Sequence, residues 1–226
     1  MPRMANITKA LLLLALLGNA TAAWSHHFYL GVGTGPEMAD FNSNSVVSSP
    51  GNFFVTNNNH LSGTGFFGSI FGGYAWIHQA FYLAGEVKFD VTNVISRASN
   101  NEFIHKSFST AYYRMRRDIS LSVLPGYLFT PTTLFYGRLG YSLAYFNVSS
   151  SDASLSNMNK NLSGIAFGLG INQALNQQIA LRLEYSQVYY QSTASTTIDP
   201  LGGVTKNTNI GPTTGQAEFA LIYNFS

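Results

Sequence analysis

Apolar residues recur at every second position in eight segments of the chain, and this alternation limits what the chain can fold into. In the segment 179–186, for example, Leu181 and Leu183 alternate with Arg182 and Glu184. A period of two is the pattern of a β-strand whose two faces meet different environments. The sequence therefore predicts an all-β protein. Its eight strands are expected in the segments 27–35, 63–75, 81–91, 112–128, 133–146, 164–171, 179–186 and 216–225.

The face opposite the apolar one distinguishes a soluble β-protein from a membrane barrel. In a soluble sandwich or barrel that face would meet water and carry many charged side chains. It is instead rich in Gly, Ala and Ser, and only 10% of the chain is charged, against about 25% in ordinary soluble domains. Small residues suit the narrow interior of an eight-stranded barrel whose apolar face meets lipid. The segment 63–75 is apolar on both faces, so its facing stays open.

The connections between the strands alternate in length. The links at 76–79, 129–132 and 172–177 are short. Those at 36–62, 92–109, 147–161 and 191–212 are long and polar. Short turns at one end and long loops at the other are typical of outer-membrane barrels. The predicted fold is an eight-stranded antiparallel up-and-down transmembrane β-barrel with short periplasmic turns and four long extracellular loops.

The N-terminal segment has the pattern of a secretory signal peptide. Arg3 and Lys9 precede an apolar run at 10–17, and an Ala-x-Ala sequence ends at Ala22. The run is too short to span a bilayer, which needs about 20 apolar residues. A buried N-terminal helix is the alternative, but the run has no polar face. We expect cleavage after Ala22 or, nearly as well, after Ala23.

Cleavage divides the chain into a signal peptide at 1–22 and a barrel domain at 23–226. It removes two of the twelve basic residues, and the remaining ten equal the ten acidic residues in number. The mature chain is therefore formally neutral, and no electrostatic case for binding nucleic acid remains. The chain has no cysteine, which excludes thiol catalysis and thiolate metal sites.

Aromatic residues collect toward the two ends of the predicted strands. Two such bands are expected where a barrel crosses the two membrane surfaces. A soluble core would not sort aromatic residues to strand ends. The predicted girdle residues are Tyr74, Trp76, Phe81, Phe89, Tyr113, Tyr127, Phe135, Tyr145, Tyr185, Tyr223 and Phe225.

Strand alternation assigns ten charged residues to the lumen, five of each sign. They are Glu86, Lys88, Asp90, Arg114, Arg116, Asp118, Arg138, Arg182, Glu184 and Glu218. Charges away from water are costly unless they pair, so we predict a salt-bridge network in which Glu86 and Glu218 pair with Arg138 or Arg182. The favoured role of this network is to brace and plug the barrel. The alternative is a gate whose partners exchange to open an ion path.

The sequence predicts no catalytic residues, no metal site and no cofactor. His60 lies among Ser and Asn residues in the first long loop, a pattern with a faint similarity to lipid-modifying transferases. A solvated loop histidine is the favoured interpretation. His26 and His27 are neighbours in one strand and point to opposite faces, so they do not share an ion.

An apolar cluster interrupts the first long loop. Phe53, Phe54 and Val55 stand among polar residues. The cluster either packs onto the barrel rim, the slightly favoured interpretation, or contacts a host surface, a partner or a small apolar ligand.

Several short motifs, taken together and in order, resemble the small eight-stranded outer-membrane barrels, the OmpA/OmpX-like superfamily of Gram-negative bacteria. They are YLGVG at 29–33, FGGY at 71–74, YLAGE at 82–86, GY at 126–127, YGRLGY at 136–141 and the alternation at 219–225. The resemblance implies a bacterial outer-membrane location and a monomer. It also implies contact with outer-membrane lipid and lipopolysaccharide, and with periplasmic chaperones and the barrel-assembly machinery during biogenesis.

Three functions follow from these observations. The first is a non-enzymatic outer-membrane barrel with a structural or surface-interaction role through its extracellular loops and a lumen plugged by charges. The second is a small porin-like channel or apolar-ligand conduit across the outer membrane. The third, a lipid-modifying enzyme, has the weakest support.

Overall fold

The computed structural model describes residues 25–49, 53–101, 108–150, 158–199 and 204–225. The predicted signal peptide and both cleavage sites lie outside these ranges. Among the described residues, no helix is long and apolar enough to cross a membrane. The described ranges contain ten strands, which are β1 (Ser25–Ser49), β2 (Phe53–His78), β3 (Phe81–Thr92), β4 (Ile95–Asn101), β5 (Phe108–Thr130), β6 (Thr133–Ser150), β7 (Met158–Ala174), β8 (Ile179–Tyr190), β9 (Thr193–Asp199) and β10 (Val204–Phe225).

Eight of these strands close into a ring. Strands β1, β2, β3, β5, β6, β7, β8 and β10 pair in that order, and β10 pairs back with β1. The pairings between consecutive members are antiparallel, with Phe28 opposite both Tyr74 of β2 and Phe225 of β10. The ring confirms the predicted eight-stranded antiparallel barrel. Strand β4 pairs with β5 and β9 with β10, both beyond the ring.

The four connections predicted as long loops are largely strands in the parts that the structure describes. In the first, at 36–62, β1 continues to Ser49 and pairs with β2 from Phe53 onward. Inward residues such as Ala39 and Phe41 stay buried along this extension. The period of two thus continues past the apolar band, where the outward residues become polar. Strand pairing satisfies the backbone groups that a loop would leave to water.

Three tight connections lie at the opposite end of the barrel, as predicted. Gln79 and Ala80 join β2 to β3, and Pro131 and Thr132 join β5 to β6. Gln79 has a φ of 57°, the left-handed conformation found in two-residue hairpin turns of types I′ and II′. Residues 175–178 join β7 to β8, where the side chain of Asn176 accepts two backbone hydrogen bonds.

The outer face of the ring is an apolar band. Leu169 is 74% exposed and Ile70 is 62% exposed, and every ring strand contributes similar side chains. Exposed apolar residues in a closed ring of strands suit contact with lipid. The structure also decides the facing of the segment 63–75, since Phe67 and Phe71 are buried while Phe66 is 65% exposed.

Two clusters of buried apolar side chains lie at different heights inside the barrel. The lower apolar layer, near the short turns, consists of Tyr29, Phe71, Ala75, Tyr82, Ala84, Leu124, Leu134, Tyr136, Ala180, Ala220 and Ile222. The upper apolar layer, toward the long hairpins, consists of Ala39, Phe41, Val94, Met115, Ala144, Phe146, Leu162, Tyr190 and Ile210. Charged side chains occupy the space between them.

Candidate functional site in the lumen

Arg182 is the centre of a buried charge network just above the lower apolar layer. Its side chain is fully buried, and its Nη1 donates to both carboxylate oxygens of Glu86, at 2.8 and 3.1 Å. Arg138 lies on the other side, with Nη2 at 2.5 Å from Glu86 and Nε at 2.8 Å from Glu184. Two arginines and two carboxylates therefore balance along one chain of contacts, from Arg182 through Glu86 and Arg138 to Glu184. The attraction between paired charges offsets much of the free energy needed to move each charge from water into the barrel.

Two tyrosines complete the hydrogen bonding of this network. The hydroxyl of Tyr29 donates to Glu86 at 2.8 Å, and that of Tyr136 donates to Glu184 at 2.5 Å. Arg138 also donates to the hydroxyl of Ser122 at 3.1 Å. Each carboxylate thus accepts bonds from both arginine and tyrosine donors, which fixes its position in the barrel.

Aromatic rings surround the guanidinium of Arg182. Its Cζ lies 4.3 Å from the ring centre of Phe71, 5.2 Å from that of Tyr136 and 6.0 Å from that of Tyr29. Such cation–π contacts are strongest where water is excluded. Glycines make room for the rings, because a Cβ at Gly31 would lie closer than 3.0 Å to Phe71, and one at Gly170 would clash with Tyr136 in the same way.

A second group, richer in acid, lies between this network and the upper apolar layer. Lys88 is its one base among the described residues, with Nζ at 3.3 Å from Glu218 and 3.4 Å from Asp90. Asp118 accepts a bond from the hydroxyl of Tyr190 at 2.7 Å and another from Ser142. The network of Arg182 and this acidic group together fill the middle of the lumen with polar contacts.

The predicted pairing of Glu86 holds, and that of Glu218 does not. Glu86 contacts both Arg138 and Arg182, as expected. Glu218 instead pairs with Lys88 and accepts a hydrogen bond from Ser69. The inward position of all these residues follows strand alternation. Their partners depend on the relative heights of strands from different parts of the chain.

Arg114 and Arg116 lie outside the barrel, so their assignment to the lumen is wrong. The register of β5 against β6 shifts between Met115 and Arg117, where Arg116 is an extra residue. Arg116 is exposed and Met115 is buried. A β-bulge of this kind reverses the alternation above it. Arg114 accordingly pairs with the exposed Ile95 on the outer face.

Glu37 is a buried carboxylate that the sequence analysis missed. It is 5% exposed and faces the same side of β1 as Gly33 and Ala39. Extending the alternation of the first strand beyond residue 35 would have found it. Among the described residues the lumen thus holds six carboxylates and three basic groups, so the predicted balance of five and five is wrong. The carboxylates are Glu37, Glu86, Asp90, Asp118, Glu184 and Glu218, and the bases are Lys88, Arg138 and Arg182.

The predicted girdle residues with described side chains all lie on the outer face. Near the short turns they touch edge to face, with ring centres 4.8 Å apart for Tyr74 and Trp76 and 5.8 Å apart for Phe81 and Tyr127. Phe135, Tyr223 and Phe225 lie close to them along the same end. Phe89, Tyr145 and Tyr185 face outward at greater heights, and the side chain of Tyr113 lies outside the described set. Their placement at membrane surfaces stays a prediction.

His60, the histidine considered for catalysis, is paired with an amide in the described structure. Nδ1 of His60 lies 2.5 Å from the side-chain oxygen of Asn42 on an exposed part of the first hairpin. Among the residues that the structure describes, His60 forms no hydrogen bond with a hydroxyl nucleophile or with a carboxylate. Within the described ranges, no group of three or more His, Asp or Glu residues is arranged to hold a metal ion.

Comparison with known proteins identifies relatives of the same fold. A family model described as "Outer membrane protein beta-barrel domain" matches residues 8–225. No curated protein matches the chain. The outer membrane protein OprG from Pseudomonas aeruginosa is a similar structure, with 13% identity over 87% of this chain and 95% of that one, at a TM-score of 0.50.

Two further similar structures are the neisserial surface protein A (NspA) and the outer membrane protease OmpT from Escherichia coli. NspA has 16% identity over 88% of this chain and 97% of its own, at a TM-score of 0.43. OmpT has 9% identity over 91% of this chain and 100% of its own, at a TM-score of 0.48. Among these three structures OprG alone reaches a TM-score of 0.50, and at 13% identity its likeness concerns the fold and not the activity.

Proposed function

The chain belongs to the family of outer membrane protein beta-barrel domains, and we propose that it is a non-enzymatic member that binds surface partners through its extracellular hairpins. The barrel lies in the bacterial outer membrane, with its short turns in the periplasm. Its lumen stays closed, and the part that projects beyond the membrane carries the function. The observation that carries this proposal is the apolar tip of the first hairpin.

Phe54 and Val55 lie at the tip of the hairpin formed by β1 and β2. Phe54 is 71% exposed and Val55 is 53% exposed, and they pair with Ser48 and Val47. Neighbouring strand residues point to opposite faces, so exposure of both means that neither face of the tip packs on the barrel. This favours partner contact over packing on the rim. The side chain of Phe53 lies outside the described set.

We expect the double substitution Phe54→Ser and Val55→Ser to weaken binding to apolar surfaces about tenfold or more. Burying one such side chain contributes about 1.5–3 kcal/mol, and about 1.4 kcal/mol is a tenfold change in affinity. Cells that display the chain are measured for partition into hexadecane and for adhesion to polystyrene, two apolar surfaces. Asn58→Ser, on the same hairpin, is the control and should bind as the wild type does. Equal binding by all three chains would exclude the tip as the contact.

The filling of the lumen supports the closed state. Arg182 and its partners lie directly above aromatic rings of the lower layer. At the other end, Phe41 and Phe146 stack with ring centres 5.7 Å apart in the upper layer. An ion moving through the barrel would have to pass two apolar layers and displace paired charges between them. This arrangement favours a plug over the alternative of a small channel or apolar-ligand conduit.

We expect the wild-type chain to show no steady conductance in planar lipid bilayers, and Arg138→Ala to show none either. Removing Arg138 breaks its contacts with Glu86 and Glu184 but leaves both apolar layers in place. Single-channel recording of protein refolded in lipid measures this, with Lys160→Ala as a control for a lost surface charge. Steady wild-type currents, or currents in Arg138→Ala alone, would support the channel instead.

A further inference from the structure

A small pocket lies inside the ring of strands at the end that carries the short turns. Its volume is about 150 Å³. Pro131 and Thr132, which join β5 to β6, line its outer part. Asn172, which is paired with Arg182 across strands β7 and β8, lines its inner part. We call this recess the turn-end pocket.

The walls of the turn-end pocket are mainly apolar, and a few polar groups interrupt them. Ile77, Leu134 and Ile222 are apolar wall residues, while Tyr82 and Asn172 bring polar groups to the same space. Apolar walls with a few converging polar groups are the usual form of small-molecule sites. An apolar cavity of similar volume holds benzene, so the turn-end pocket has room for about six non-hydrogen atoms.

Arg182 has a donor without a partner at the inner end of this pocket. Its Nη2 is buried and forms no hydrogen bond with any described residue. Its Nε donates to Oδ1 of Asn172 at 3.2 Å. Nε and Nη2 lie on the same edge of the flat guanidinium group, so their N–H bonds on that edge point in parallel. Nη2 is therefore directed toward the side of Asn172, which lines the pocket.

Arg138 shows which partner fits this edge of a guanidinium group. Its Nε and Nη2 donate to the two carboxylate oxygens of Glu184, at 2.8 and 3.0 Å. On Arg182 the same edge meets one amide oxygen, that of Asn172. Arg138 contacts two carboxylates, whereas Arg182 contacts Glu86 alone within the described ranges. A carboxylate that enters the turn-end pocket can supply the oxygen that Nη2 lacks.

We propose that the turn-end pocket binds a short-chain monocarboxylate from the periplasm. The carboxylate points inward and accepts a hydrogen bond from Nη2 of Arg182, and the hydrocarbon chain lies between Ile77, Leu134 and Ile222. Butyrate has about the size that the pocket volume allows. The site is separate from the hairpin tip. It also leaves the lumen closed, because the ligand enters and leaves at the same end of the barrel.

An NMR titration of the purified barrel in detergent at pH 7 tests the proposal, with butyrate, butyramide and acetate as separate probes. We expect butyrate to bind at least about tenfold more tightly than butyramide, which has nearly the same shape without the charge. Acetate should bind about tenfold more weakly than butyrate, because it buries less hydrocarbon. The signals that shift should include the side-chain amide of Asn172 and the Nε–H of Arg182.

The Asn172→Asp substitution separates this site from binding elsewhere on the barrel. It places a carboxylate against Nε and Nη2 of Arg182, as Glu184 does on Arg138. The variant should fold, and it should bind butyrate at least about tenfold more weakly than the wild type. Gln173→Glu is the matched control, because it adds the same charge one residue along β7 on the exposed face. This control should bind butyrate as the wild type does.

Heat-modifiable electrophoretic mobility shows whether each variant is folded. If Asn172→Asp does not fold, Ala180→Val narrows the pocket and leaves Arg182 and Asn172 unchanged, since Ala180 is a buried wall residue. It should lower the affinity for butyrate several-fold. Equal affinity for butyrate and butyramide would overturn the proposal. So would unchanged butyrate binding by a folded pocket variant, or the absence of any shift on addition of butyrate.

Discussion

The Arg182→Met substitution is expected to lower the free energy of unfolding of the barrel by about 3–5 kcal/mol. Methionine fills much of the space but cannot bond to Glu86, which Arg182 contacts through both carboxylate oxygens. Glu86 then has Arg138 as its one remaining cationic contact, and the bond to Asn172 is also lost. A buried carboxylate with too few donors destabilises the folded state.

Urea unfolding of protein refolded into lipid vesicles measures this change, with band mobility before and after boiling as a second readout. Lys160→Met is the matched control, because Lys160 is exposed and surface substitutions usually change stability by less than about 0.5 kcal/mol. Arg182→Lys should fall between them, since an ammonium lacks the plane that packs on Phe71. If Arg182→Met is as stable as the Lys160 variant, the network does not brace the barrel.

The Gly31→Val substitution is expected to cost about 1–3 kcal/mol of stability through overpacking. A Cβ at Gly31 would lie closer than 3.0 Å to the ring of Phe71, and that ring lies against the guanidinium of Arg182. The ring cannot move away without disturbing the charge network. Valine otherwise favours strands, so any loss arises from this contact and not from the backbone.

Gly68→Val on the neighbouring strand β2 is the matched control. Gly68 faces outward, and a Cβ there meets nothing within 4 Å, so valine should be neutral or slightly stabilising. Denaturant unfolding of both variants under identical conditions gives the difference. The double variant Gly31→Val with Phe71→Ala should cost less than the two single losses added together. Equal stability of the two valine variants would contradict the packing described for Gly31.

Strand facing was predictable from the sequence because it is a local property. Glu86, Arg138, Arg182 and Glu184 each stand one residue away from apolar outward neighbours, and all four are buried as expected. The same reasoning failed at Arg114 and Arg116. A bulge inserts one residue into the period, and its position depends on the pairing of β5 with β6. No feature of the sequence of β5 alone marks that shift.

The extent of the strands was harder to predict than their facing. Polar outward residues made the stretch 36–62 look like a loop, although its inward residues continue the alternation through Glu37, Ala39 and Phe41. Once a strand leaves the membrane, its outer face no longer needs to be apolar. Beyond the membrane, only the inward residues still show the period of two. A prediction that also requires apolar outward residues therefore ends the strand too early.

The sequence by itself determined the β-barrel class, the apolar outer band and the inward charged residues, because side chains alternate along any strand regardless of what surrounds it. The tertiary structure decided which charges meet. Arg182 and Glu86 are 96 residues apart in the chain, and only ring closure and strand register bring them to one height. It also placed Arg114 and Arg116 on the outer face and not in the lumen, since a register shift between β5 and β6 reverses which face a side chain occupies.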